Sequence, residues 1–168
     1  MSATYIPIQS TTLTTSAASV TFSNIPATYT DLVVRISARA DASSATNSVS
    51  MRINDVTTNR SITFLRGTGS GVTSAQGFDG NIGTITGATA TASTFGDIEV
   101  YIPNYLSSAN KPFSSFSVQE DNNASAFIFA RAHLWQSSAA ITQLRFESLT
   151  SANFVSGSTF HLYGIKNS

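Results

Sequence analysis

The chain contains no cysteine, which excludes a disulfide framework and any Cys-based metal site. Charge is scarce as well: Asp, Glu, Lys and Arg make up 11% of its 168 residues, against about 25% in ordinary soluble domains. Nine cations balance nine acids, so almost no long-range field exists to draw nucleic acid or an anionic membrane toward it. Apolar runs are short, none approaching the roughly 18 residues of a spanning helix. The opening "MSATYIPIQS" lacks the cationic segment and apolar stretch of a secretory leader. Neither nucleic acid nor a membrane is expected as a partner, and 168 residues fit one domain spanning 1–168.

Ser and Thr fill the polar half instead, at close to three residues in ten. A surface of hydroxyls and amides is neutral yet hydrogen-bonds freely, which suits a face that another neutral surface will cover. At near-zero net charge it is a poor means of keeping a free monomer in solution. The composition therefore points mildly toward assembly.

Helical periodicity is hard to find, whereas short alternating runs bounded by Ser, Thr, Asn, Gly or Pro recur along the chain. "ASVTF", "DLVVRISA", "SVSMRIN", "RSITFLR", "FGDIEVYIP", "FSSFSVQE", "AFIFARAHLW", "ITQLRFESL" and "STFHLYGIK" read as strands. The prediction is an all-β, antiparallel β-sandwich of about 8–10 strands, with little or no helix.

Alternation also assigns faces. Leu32, Val34, Ile36 and Ala38 share one side of their strand while Arg35 and Ser37 share the other; Ile98, Val100 and Ile102 oppose Asp97, Glu99 and Tyr101. "AFIFARAHLW" is apolar on both parities, with Phe127, Phe129 and Trp135 on one and Ile128, Leu134 and alanines on the other. It marks either a central strand covered on both sides or a strand at an interface. Ile6-Pro7, Ile25-Pro26 and Ile102-Pro103 mark strand edges or ends, since proline cannot donate to a ladder. In "FSNIPATYTDL" (22–32) Ile25 and Tyr29 then plug the sandwich where the chain crosses between strands.

Residues 40–48 and 67–94 read as long loops, the second with a weak strand near "NIGTIT". A loop of that length in a compact domain is functional, disordered or ordered by a neighbour. The Gly/Thr/Ala-rich 67–94 segment is therefore assigned the working surface.

Candidates for chemistry are few. His133 and His161 lie in alternating strands without a carboxylate at ligand spacing, and they read as structural or surface histidines. "GFDGN" (77–81) and "QEDNN" (119–123) offer loop oxygens but miss the D-x-D-x-D-G calcium pattern, so no metal is expected. Glu99 and Glu147 belong to separate strands, and no motif brings them together as a carboxylate pair. No nucleophile elbow and no phosphate-binding glycine loop is present. The chain reads as non-enzymatic, without catalytic residues or cofactor. Trp135, Phe78, Asp79 and Asn81 are the candidates for contact with a partner or a glycan, Trp135 as a stacking platform or, alternatively, as a cap on the core.

The runs "FSNIPATYTDL" at 22–32, "IPNY" at 102–105 and "GSTFHLYGI" at 157–165 resemble small β-sandwich structural proteins of tailed bacteriophages, especially phages of cyanobacteria and other aquatic bacteria. The resemblance extends over most of the chain. It implies a virion component similar to jelly-roll decoration or cement proteins, which sit as homotrimers on the capsid surface and bind the major capsid protein. Domains of tail fibres, baseplates and head fibres that recognise host glycans are the alternative it implies. A free-standing carbohydrate-binding domain is a third reading. The shared motifs look like determinants of fold, and no functional residue is carried over from them.

Overall fold

The computed structural model describes residues 5–77, 79–120 and 126–166. Twelve strands run through them: β1 (Tyr5–Thr12), β2 (Ser19–Phe22), β3 (Asp31–Ala38), β4 (Thr46–Ile53), β5 (Arg60–Gly67), β6 (Val72–Gly77), β7 (Asn81–Thr86), β8 (Gly96–Ile102), β9 (Lys111–Gln119), β10 (Phe127–Trp135), β11 (Leu144–Ser148) and β12 (Thr159–Ile165). No helix occurs among the described residues.

The strands form an eight-stranded sheet, β1-β12-β3-β8-β9-β10-β5-β6, and a four-stranded sheet, β2-β11-β4-β7. Every pairing between strands is antiparallel. The pairs β3–β8, β4–β7 and β5–β6 are nested along the chain and fall in the large, small and large sheet in turn, with β2–β11 and β1–β12 outside them. This rolled hairpin is the jelly-roll form of a β-sandwich.

Parity builds the core as the sequence predicts. Leu32, Val34, Ile36, Ala38, Ile98, Val100 and Ile102 are all fully buried, and they meet Val49, Met51, Ile53, Leu144 and Phe146 of the small sheet in one apolar cluster. Backbone approach seals one side, because a Cβ on Gly96 would lie 2.7 Å from the Cα of Ile85. Glycine lets β7 and β8 come that close.

The Ile-Pro pairs behave as strand ends and edges. Ile102 closes β8, and Pro7 lies in the edge strand β1, beside a register shift between Pro7 and Gln9. Residues 23–30 carry the chain from β2 in the small sheet to β3 in the large one. Ile25 is buried there and Tyr29 is half-buried against the core.

Two expectations need correction. The 67–94 segment is no long loop, since it contains the whole of β6 and β7. β6 escapes the hydrophobic pattern because "VTSAQG" has one large apolar residue and is exposed along nearly its whole length. "NIGTIT" is a full strand with every residue after Asn81 buried. The strand count is thus twelve, β1 having been masked by Pro7 and its bulge. The stretch between β7 and β8, 87–95, is held by Arg39 from within the fold: its Nη1 donates to the carbonyls of Thr91 (2.8 Å) and Thr94 (3.1 Å), its Nη2 to those of Ala88 (3.2 Å) and Ala90 (3.0 Å).

Candidate functional site

β5 and β6 stand at one end of the eight-stranded sheet, where β5 meets the small sheet through Arg60, whose Nη1 donates to the Met51 carbonyl at 2.9 Å. Among the described residues, the outward side chains of β9, β10, β5 and β6 in the large sheet are largely exposed. The register arranges its side chains in rows. One row runs Glu99, Phe116, Ala130, Leu65, Ser74 across β8, β9, β10, β5 and β6; on one side of it lies Tyr101, Ser114, Ala132, Thr63, Gln76, and on the other Asp97, Val118, Ile128, Gly67, Val72.

These rows carry large apolar groups in water. Phe116 is 44% exposed, Leu65 56% and Val72 74%, with Tyr101, Val118 and Ile128 also exposed. Small residues between them leave a groove of about 510 Å³, floored by Ala130, Ala132 and Ser114 and walled by Tyr101, Phe116 and Leu65. A second depression beside Val118 and Ile128, and a third between Tyr5, Val33 and Tyr163, lie on the same face. A contiguous apolar stretch of this kind marks a surface that something covers.

Charge in these three rows is confined to Asp97 and Glu99 of β8. Glu99 at the groove's rim is paired with Arg35 at 2.7 Å. Tyr101 is held in place from behind: its hydroxyl donates to Asp31 Oδ2 at 2.8 Å, while Asp31 Oδ1 accepts the Asn104 N–H at 2.9 Å. The bond to Asp31, helped by burial, raises the tyrosine pKa. Asn104 adopts φ 47°, the left-handed conformation that asparagine tolerates, in the turn that follows β8.

The opposite face of β9 and β10 is buried and polar. Arg131 is 4% exposed; its guanidinium lies 3.8 Å from the Phe129 ring centroid, and its Nη1 donates to Ser117 Oγ at 3.1 Å. Burial lowers its pKa to about 10. His133 stacks on Phe113 at 4.4 Å and shares a hydrogen bond with Ser115 Oγ at 2.8 Å. Burial, followed by the charges of Arg131 and Arg60, lowers its pKa to about 3. A Ser–His contact of this kind is no nucleophile and base, because a base must accept a proton near working pH and this imidazole will not.

The predicted contact residues do not converge. Trp135 is 2% exposed and joins the core, so it is no stacking platform. It shares the inward parity of Phe129, and the register sets it between Lys111 and Arg60, with Lys111 Nζ 5.4 Å from the ring. Asp79 and Asn81 make turns: Asp79 Oδ1 accepts the Asn81 N–H at 3.0 Å, and Asn81 Oδ1 accepts the Gly83 N–H at 3.1 Å. Phe78 lies outside the described residues. His161 is on the outer face, in the register between Arg35 and Ser10. Glu99 and Glu147 lie in different sheets, Glu147 paired with Arg52 and Arg145. Among the described residues no group of three His, Asp or Glu is placed to hold a metal ion.

Sequence reading missed Phe116, Leu65 and Val72 as surface residues, although the two-sided apolarity of β10 pointed to them. The outward position of Phe116 and Leu65 follows from register with Ala130, and that of Val72 from register with Ile128 through Gly67, which a single strand's pattern does not contain.

No family model matches the sequence, and no curated protein matches it. Among solved structures the chain is similar to the galectin LEC-6 of Caenorhabditis elegans, at 10% identity over 94% of this chain and 96% of that one, with a TM-score of 0.39.

Proposed function

We propose that the chain is a non-enzymatic structural protein of a phage virion, a capsid decoration protein that lays the outer face of its large sheet against the shell formed by the major capsid protein. The observation that carries this reading is the exposed apolar set of Tyr101, Phe116 and Leu65 around a shallow groove, with Val72 in the adjoining row. A decoration protein meets a preformed surface that already faces water. Apolar anchors within a hydroxyl-rich rim fit that task, because they gain from burial without leaving unpaired charge behind. The motif resemblance supplies the virion context.

Quantitative mass spectrometry of purified particles tests it. The expected result is a copy number comparable to that of the major capsid protein; a few copies per particle would sink the decoration role and favour a tail or fibre module. Glycan recognition loses its main support with Trp135 in the core. Binding on a glycan array that Tyr101→Ala abolishes would revive it.

A further inference from the structure

A sandwich has four sheet edges, and three of them here are protected. β1 carries Pro7 and a register shift after it. β2 is four residues long. β7 is buried, its Thr84 N–H capped by Ser117 Oγ at 3.3 Å and its Thr86 hydroxyl donating to the Thr94 carbonyl at 2.7 Å. β6 has none of these devices. It pairs in continuous register with β5 on one side and with nothing on the other among the described residues. Its sequence "VTSAQG" contains no proline, no lysine and no acid. Natural sheets blunt an exposed edge with one of those features unless the edge is used.

We propose that β6 is a strand-addition site whose occupant is the β6 strand of a second copy, joined antiparallel about a two-fold axis. Three features favour a second copy. The strand is uncharged, so self-pairing sets no like charges opposite each other. Antiparallel pairing about Ser74 keeps parity, so Val72 of one copy meets Gln76 of the other on the same face and Thr73 meets Ala75 on the reverse. The two large sheets then become one, and the apolar outer faces merge into a single wider surface. Pairing about Ser74 sets five residues of β6, 72–76, opposite their copies, a ladder as long as β11. A head-to-tail contact would need β6 to pair with β1, where Pro7 and the bulge interrupt the ladder. The pairing uses the backbone edge of β6, whose Val72 and Ser74 also belong to the outer face, and it joins copies in twos whatever further contacts gather them.

The test uses the full chain in sedimentation equilibrium. Dimers that grow with concentration are expected, with Ser74→Lys weakening association by about tenfold or more. Ser74→Glu alone should do the same, while an equimolar mixture of the Lys and Glu variants should dimerise again. Ser74 is exposed, and far-UV circular dichroism confirms that each variant is folded. The chain has no cysteine, so Ser74→Cys accepts a single spin label, and dipolar broadening between copies is expected. A chain that stays monomeric at all concentrations overturns the proposal, as does an oligomer of any size that survives Ser74→Lys.

Discussion

The ring of Tyr29 occupies the space where a side chain on Gly164 would stand: a Cβ there would lie 2.3 Å from Tyr29 Cγ and 2.5 Å from both ring Cδ atoms. The contact joins two of the three sequence runs at 22–32, 102–105 and 157–165, and the third meets them close by. Tyr105 is fully buried and donates its hydroxyl to the carbonyl of Pro26, while the Thr30 N–H bonds to the Ile165 carbonyl at 2.8 Å. All three motifs close one end of the sandwich. They therefore describe how the fold is sealed and leave the choice of partner to other residues.

Gly164→Ala should destabilise the protein by about 1–3 kcal/mol, because a methyl would drive into a ring that packs against the core. Tyr29→Ala alone also costs stability. In the double variant the Gly164→Ala penalty should largely disappear, since the ring it strikes is gone. Urea denaturation of the four proteins measures this, and strict additivity of the two changes would refute the contact.

Arg39 is a latch for residues 87–95. Its four bonds to backbone carbonyls draw the segment around one guanidinium, a geometry that a lysine ammonium cannot reproduce. Arg39→Lys and Arg39→Met should both speed amide exchange in 87–95 and open it to protease, at a global cost of about 1–3 kcal/mol. Protection by hydrogen-exchange mass spectrometry that matches the parent in both variants would count against the latch.

Burial of His133 in its neutral form has a consequence in acid. Its folded pKa of about 3 lies below the ordinary value of 6.5, so the unfolded chain takes up the proton first. Stability is intact above pH 6.5 and declines as pH falls from there toward 3, by up to about 1.4 kcal/mol per pH unit from this group. His133→Gln keeps a hydrogen-bonding group opposite Ser115 and removes the titration. Its denaturation midpoint should be flatter between pH 6 and 4 than the parent's, whatever its stability at neutral pH.

Period-two alternation made most of the fold legible, because strands half in water sort their side chains by parity. β3 and β8 show it most plainly. β6 was illegible for the opposite reason: exposed on both faces, it has no inward set for a pattern to reveal. The candidate surface was legible only in part. Ile128 and the alanines of β10 announced a second apolar face, yet Phe116 and Leu65 join it through cross-strand register. For Trp135 the sequence left a platform and a cap on the core both open, and its shared parity with buried Phe129 goes with the core.

Phe116 and Ile25 separate the proposed contact surface from the fold. Phe116 stands 44% exposed beside the groove, so Phe116→Ser removes an anchor from the proposed contact while stability changes by no more than about 0.5 kcal/mol. Ile25 is 6% exposed in the core, and Ile25→Ala should cost about 2–4 kcal/mol by leaving a cavity. Below its lowered melting temperature the Ile25 variant should still attach, because its outer face is unchanged. Co-sedimentation of each purified variant with particles stripped of the protein measures attachment, and thermal denaturation measures stability. Retained binding by Phe116→Ser together with Leu65→Ser would move the contact away from this face, to the small sheet or the sandwich ends.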